Sequence, residues 1–241
     1  MEISKNIEII DLALYLKKHK TLIIADMHIG YEEELNKKGI LIPRFQFKDT
    51  VNRLNKILNK PKIKIIIING DLKHEFGTIS EQEWRETLKI LDLLTGNGKV
   101  ILIKGNHDTI LGPIARKRDV EIKEYYKIGD ILIIHGNKIP DKNILKGIKT
   151  IIIGHEHPAI SLRDKVRAEK FKCFLKGNYK KKTLIVMPSF ITATEGTDIL
   201  NESNDILKKK LISPFLNNIN NFEIFIVEDK AYNFGKVKNH L

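Results

Sequence analysis

Five short runs of aliphatic, largely β-branched residues set the frame of this chain, because each is too short for a helix and each ends in a polar loop. They occupy residues 21–25, 63–68, 100–103, 131–134 and 151–153. Continuous apolar runs of this length read as strands buried on both faces. Amphipathic stretches separate the first three. One covers residues 44–59; the other covers 81–94 and opens with Ser80 as cap and Glu83 three residues on. Strand–helix–strand alternation predicts parallel pairing through right-handed crossovers. Beyond Ile160 the texture changes. Residues 173–175, 183–186 and 223–227 read as strands with little helix between them, and Asn178 with residues 180–182 marks a turn. A second, more antiparallel sheet stacked on the first is expected. No repeat or linker interrupts the chain, so one α/β domain over residues 1–241, two stacked sheets flanked by helices, is the simplest reading.

At 241 residues, 42% hydrophobic and 30% charged, the chain can bury a sizeable core and does not have a disordered composition. No apolar run approaches the roughly 20 residues of a membrane helix. The N-terminus, Met1-Glu2-Ile3-Ser4-Lys5, lacks a basic head followed by an apolar stretch. The lone Cys173 excludes an internal disulfide and reads as a small buried hydrophobe. A cytoplasmic protein without a membrane partner is the expectation. The formal net charge of +12 favours anionic partners. Lysine supplies most of it, a bias that coding habit or growth temperature also produces.

The chemistry sits where the apolar runs end. Six of the eight histidines fall in five motifs: Asp26-Met27-His28, Gly70-Asp71-Leu72-Lys73-His74, Gly105-Asn106-His107-Asp108, His135-Gly136 and Gly154-His155-Glu156-His157. In extended chain, Asp26 and His28 would share a side. Asp71 has two carboxylate oxygens and can bridge two cations. Asn106 offers a neutral amide oxygen, and His135, His155 and His157 add imidazoles. This donor set suits a pair of hard-to-borderline divalent ions. Without cations, so many ionisable groups would repel one another or lack solvation. No serine or cysteine nucleophile motif competes with this reading.

The order Asp-x-His, Gly-Asp, Gly-Asn-His, His, Gly-His-x-His over residues 26–157 resembles that of the calcineurin-like metallophosphoesterases, with no ligand position lost. The resemblance implies a four-layer αββα sandwich with two metals at the carboxyl edges of its sheets. It assigns Asp26, His28, Asp71 and His157 to one ion, and Asp71, Asn106, His135 and His155 to the other. It implies phosphodiester hydrolysis by water that the ion pair activates. The counterpart of His107 protonates the leaving oxygen or steadies the phosphate, with Asp108 as its expected orienting partner. Manganese is the ion the resemblance favours; iron, zinc and nickel satisfy the same donors.

Gly-Asp-Leu-x-His further resembles the nuclease branch, typified by the nuclease subunit of double-strand-break repair complexes. There a His three residues after the bridging Asp helps place the DNA phosphate. Here that residue is His74, for which support of a metal ligand is the alternative role. Residues 70–76, 154–158 and 187–190 are similar to a prokaryotic, largely archaeal phosphoesterase group related to that nuclease. Nucleic acid or nucleotide is the implied substrate, and a homodimer, a helicase or another DNA-repair protein the implied partners. The basic run 161–182, interleaved with Phe171, Phe174 and Tyr179, is expected to track a phosphate backbone. The alternative is a solvated lysine-rich hairpin with inward aromatics. For a small phosphoester, Arg44, Arg163 or Arg167 would grip a terminal phosphate. A non-catalytic scaffold is disfavoured because every ligand position is kept. Residues 201–241 carry no recognisable chemistry, and 213–216 reads as a loop packed on the body.

Overall fold

The structure, a computed structural model, describes residues 1–40, 45–75, 80–163, 168–200 and 213–241, with the backbone alone at 163 and 168. The chain opens as an antiparallel meander: β1 (Glu2–Ser4), β2 (Ile7–Ile10), β3 (Ala13–Leu16) and β4 (Thr21–Ala25). From β4 the same sheet continues in parallel through β5 (Ile65–Asn69), β6 (Lys99–Ile103) and β7 (Glu121–Lys123). Helices α1 (Tyr31–Lys37), α2 (Gln46–Leu58), α3 (Glu81–Thr95) and α4 (Gly112–Arg116) form the connections. Ser80 caps α3 as its sequence predicts, its Oγ accepting the Glu83 N–H at 3.1 Å.

The chain then crosses to the second sheet. This holds β8 (Tyr126–Ile128), β9 (Ile131–Ile133), β10 (Thr150–Ile153), β11 (Pro158–Arg163), β12 (Ala168–Tyr179), β13 (Lys182–Val186), β14 (Thr197–Asp198), β15 (Glu223–Val227) and β16 (Ala231–Lys236). Its order is β14-β11-β12-β13-β10-β9-β8, with β15 between β12 and β16. β9, β10 and β13 are parallel; the β11–β12, β12–β13 and β12–β15 pairs are antiparallel.

The pleat sorts the second sheet's residues onto two faces. Ile131, Ile133, Ile152, Phe174 and Ile185 join the core shared with the first sheet and its helices. Leu132, Ile151, Ile153, Cys173, Leu175, Leu184 and Val186 face a second core. Phe215, Leu216, Ile219 and Phe222 cover that outer face, with Ile144, Leu145 and Ile148. The two sheets and the expected helices are thus present. Among the described residues, however, the cover of the second sheet consists of turns, and all four helices serve the first. The segment at 213–216 packs on the body as expected, with Phe215 against Tyr179 at 4.9 Å. No helix among the described residues is long and apolar enough to cross a membrane.

Phe222 lies directly on Gly177 of β12. A Cβ there would stand 2.2 Å from the Phe222 ring. Gly177→Ala is therefore expected to destabilise the fold by about 1–3 kcal/mol through overpacking. Phe222→Leu in the same chain should return part of that loss in a denaturant melt.

Candidate metal centre

Parallel strands in register end at one level. Ala25, Asn69 and Ile103 lie side by side across β4, β5 and β6. The loops that follow carry Asp26, Asp71 and Asn106. β9 and β10 end alike and deliver His135 and His155. This is the carboxyl edge, where α/β sheets generally bind ligands.

The backbone there is unusual. Asp26, His28, Asp71, His155 and His157 all have positive φ, between 43° and 70°. Asp26 and His28 therefore converge by two left-handed residues, and the extended geometry expected from their spacing is not what joins them. Left-handed non-glycine residues cost about 1–3 kcal/mol each and persist only where surroundings over-determine them. Here the surroundings are hydrogen bonds between loops. Asp26 N–H and His28 N–H donate to the Gly70 and Asp71 carbonyls at 3.2 and 2.9 Å. Asp26 Oδ2 accepts the His155 N–H at 2.9 Å, across the two sheets. Glycine makes room for this: a Cβ on Gly105 would fall 2.1 Å from Asp71 Oδ1.

Seven side chains converge. Asp26, His28 and His157 place one donor atom each within 4.8 Å of one another, and so do Asp71, His135 and His155. Asp71 Oδ2 lies 3.9 Å from His28 Nε2 and 3.4 Å from His135 Nε2, between the two groups. Asn106 Oδ1 lies 2.9 Å from His135 Nε2. The seven sequence-expected ligands thus meet in one place. Asp26 Oδ1 and His155 Nε2 are buried without a hydrogen-bond partner. A buried carboxylate oxygen left so is costly unless a cation meets it. The residues present fit a pair of divalent ions.

Electrostatics agree. Burial, and then the Asp26 and Asp108 carboxylates, push Asp71 up to about 9. Burial would raise Asp26 too, but the His157, His135 and His28 imidazoles outweigh it and hold the group at about 2. One cage therefore resists two negative charges until cations enter. Burial lowers His28 and His135, and takes His155 down to about 4. Neutral imidazoles are the form that ligates.

His107 and His74 stand on the open side. His107 N–H donates to Asp71 Oδ1 at 2.9 Å, and its Nδ1 meets the His74 carbonyl at 2.8 Å. That carbonyl takes the orienting role expected of Asp108. Asp108 instead accepts the backbone N–H groups of Gly105, Leu72 and Lys73 at 3.0, 3.1 and 3.4 Å, clamping the Asp71 loop to the Asn106 loop. His74 Nδ1 faces His28 Nδ1 at 3.2 Å. The Glu83 carboxylate does not complete a capping box. It accepts the His74 and Glu75 N–H groups at 2.9 and 3.1 Å, a contact the sequence pattern disguised as a helix signal.

Among its described residues, the basic run does not form one track. Phe174 and Tyr179 are core residues and Phe171 packs against the second core, so the aromatics face inward. Residues 180 and 181 make the β12–β13 turn, at the edge opposite the site. Lys182 donates to the Ile148 carbonyl at 2.6 Å, and Lys172 to Ser189 O and Oγ at 3.0 and 2.6 Å. Arg44 and Arg167 lie outside the described residues, and of Arg163 only the backbone is described.

A cleft of about 500 Å³ opens beside His28, His74, His107 and His157. Tyr31 flanks it on α1, and Lys170 with the segment 191–197 lines the rest. Glu195 is the one carboxylate of that segment and is paired with Lys170, and sequence reasoning missed this wall of the cleft. Reasoning also missed Ser213, whose hydroxyl donates to the Gly136 carbonyl at 2.7 Å and whose N–H meets Glu156, tying two ligand loops to the C-terminal segment.

Two outcomes follow. A hundredfold excess of manganese over its dissociation constant should stabilise the chain by about 2.7 kcal/mol per ion. Gly105→Ala should lose most of that gain, read as the difference between melts with and without the ion. Lys172 titrates near 7 in the folded chain, pushed down by burial and then by Arg53, against 10.5 ordinarily. Across that window the unfolded chain holds the proton and the folded chain has released it, so stability rises with pH. The Tm difference between Lys172→Met and wild type should shift in favour of wild type from about pH 6.5 to about pH 9.5; a constant difference would contradict the assignment.

Comparison with known proteins supplies the family. A family model described as calcineurin-like phosphoesterase matches residues 19–187. The crystal structure of Pseudomonas putida nuclease MPE superposes with a TM-score of 0.64 at 21% identity, covering 93% of this chain and 92% of that one. An Aquifex aeolicus protein of unknown function, AQ665, gives 0.39 at 23% identity, covering 57% and 78%. Entamoeba histolytica Vps29 complexed with Zn2+ gives 0.37 at 17% identity, covering 89% and 99%. No curated protein sequence matches. With its motifs joined at one carboxyl edge and the model match spanning well over half its length, the chain belongs to the calcineurin-like phosphoesterase family.

Proposed function

We propose that this protein hydrolyses phosphodiester bonds in nucleic acid, with a pair of divalent ions, manganese foremost, and a water nucleophile. One observation carries the reading. A single carboxylate oxygen of Asp71 lies within 4 Å of a histidine from each ligand group, so Asp71 would help hold an ion at either group. Bound there, the ions would polarise a phosphoryl oxygen and make a water acidic enough to attack at neutral pH.

The chain's own residues do the rest. The His74 carbonyl accepts from His107 Nδ1–H, which leaves Nε2 as the nitrogen available to substrate; in the protonated ring that Nε2–H would be given to the leaving oxygen. His107 is also fixed through its N–H on Asp71, so the acid moves with the shared carboxylate. Buried Asp26, Asp71 and His135 exclude bulk water beneath, while His157 opens to the cleft. The nuclease function of the Pseudomonas putida protein that shares the fold supports the choice of nucleic acid.

A second reading has its own observation. The cleft's described basic side chain, Lys170, is paired with Glu195 at 3.0 Å, while Lys172, Lys176 and Lys182 engage Ser189, Glu223 and the Ile148 carbonyl. That favours a short substrate, such as a nucleotide or a strand end, over a long duplex track.

The test is a manganese-supplemented assay on single- and double-stranded DNA, RNA, cyclic nucleotides, an aryl phosphodiester and an aryl monoester. Diester hydrolysis is expected. His107→Ala should lower turnover by about 10²–10⁴-fold with ion binding retained, and Asp71→Asn should abolish it. Steep loss of rate with salt marks a nucleic-acid track, and a shallow response marks a small substrate. Activity confined to the monoester would refute the proposal.

A further inference from the structure

The two-sided environment of His28 points to a residue outside the ligand set. Its Nε2 faces the centre, 3.3 Å from His157 Nε2 and 3.9 Å from Asp71 Oδ2. Its Nδ1 faces His74 Nδ1 at 3.2 Å. Two ring nitrogens at that distance form a hydrogen bond only when one of them carries the hydrogen. A hydrogen on His28 Nδ1 leaves Nε2 bare and able to ligate. A hydrogen on His74 Nδ1 forces the opposite tautomer on His28, with Nε2–H aimed at the ion.

The far side of His74 makes the choice. Its Nε2 lies 2.6 Å from Glu34 Oε2. An ionised carboxylate only accepts, so that nitrogen carries a hydrogen, and a neutral imidazole has one to carry. His74 Nδ1 is then bare and accepts from His28 Nδ1–H. The intermediate ring is held in place for this. The backbone N–H of His74 donates to Glu83 and to the Ile29 carbonyl, and Tyr31 packs edge-on against the ring at 4.7 Å. Glu34 is held by Lys38 one turn along. Glu34 and Tyr31 both belong to α1, which supplies no ligand.

We infer that Glu34 is a positioning residue: acting through His74, it fixes His28 in the tautomer that binds an ion at the Asp26–His28–His157 position. The inference rests on the two-ion reading of the site. It makes α1 a support of one ion position, and it leaves the Asp71–His135–His155 position, which Glu34 does not touch, unaffected. Hydrogen-bond partners of metal-bound histidines commonly govern affinity in this way.

The test uses the full chain as wild type, Glu34→Ala and Glu34→Gln. Long-range proton–nitrogen NMR of the metal-free protein reads the His28 tautomer directly. Wild type should carry the hydrogen on Nδ1, and Glu34→Ala should give a mixture. Calorimetric titration with manganese should find two ions in wild type. In Glu34→Ala one site should weaken by about 10–100-fold while the other keeps its affinity. Glu34→Gln retains an oxygen acceptor and should recover most of the loss. Equal weakening of both sites, no recovery by glutamine, or an unchanged His28 signal in Glu34→Ala would overturn the inference. A wild-type chain that takes up no ion would sink the two-ion reading instead, and the nitrogen signals of the metal-free protein would still decide the relay.

Discussion

One carboxylate governs this structure. Asp71 sits between two groups of imidazoles and acids, nearly out of solvent, beside a second buried aspartate. Placing it there requires three arrangements at once. Parallel strands must end level, so that loops distant in sequence open onto one edge. Those loops must turn through left-handed residues, which their hydrogen bonds to one another enforce. The neighbouring backbone must come close enough that glycine alone fits at Gly105. Asp108 locks the result by taking three backbone N–H groups from the two loops it joins. Each of these supports holds both the Asp71 loop and the strand ends in place, which is why the site and the fold are not separable problems.

The electrostatic consequence is directional. Without cations the cage favours one ionised and one protonated aspartate, and burial works against charge on His28, His135 and His155. That is a set of good ligands held in a strained, under-satisfied state. Binding free energy at such a site goes partly into relieving the strain, so ion affinity and conformational order should rise together.

Much of this was legible in the sequence for a simple reason. Strands buried on both faces appear as unbroken aliphatic runs, and ligand loops follow them at once. Hence β4, β6 and β15 fall within a residue of expectation, and the seven residues expected as ligands converge. Other parts carry weak signals. The meander β1–β3 is short and mixes charge with isoleucine, so neither period stands out. α1 is a seven-residue helix with consecutive glutamates, and nothing local marks Glu34 as reaching a histidine forty residues on. Glu83 looked like half of a capping box because its spacing from Ser80 was right, while its carboxylate answers to a loop. The basic run is ambiguous for another reason: a sum of charges along a strand says nothing about which end of the sheet each lysine reaches. Some of those lysines are structural, since Lys172 and Lys182 satisfy buried carbonyls.

That split in the long strand β12 has a practical side. Its beginning belongs to the cleft wall, through Lys170, and its other end closes at the turn of Lys180 and Lys181, on the opposite rim. The turn bears two exposed, chemically addressable amines on a stiff hairpin whose register is fixed on three sides by β13, β15 and the Phe222 ring. A fluorophore or surface tether fixed there would leave the cleft unobstructed, which makes this rim the natural handle for holding single molecules while they work on a substrate.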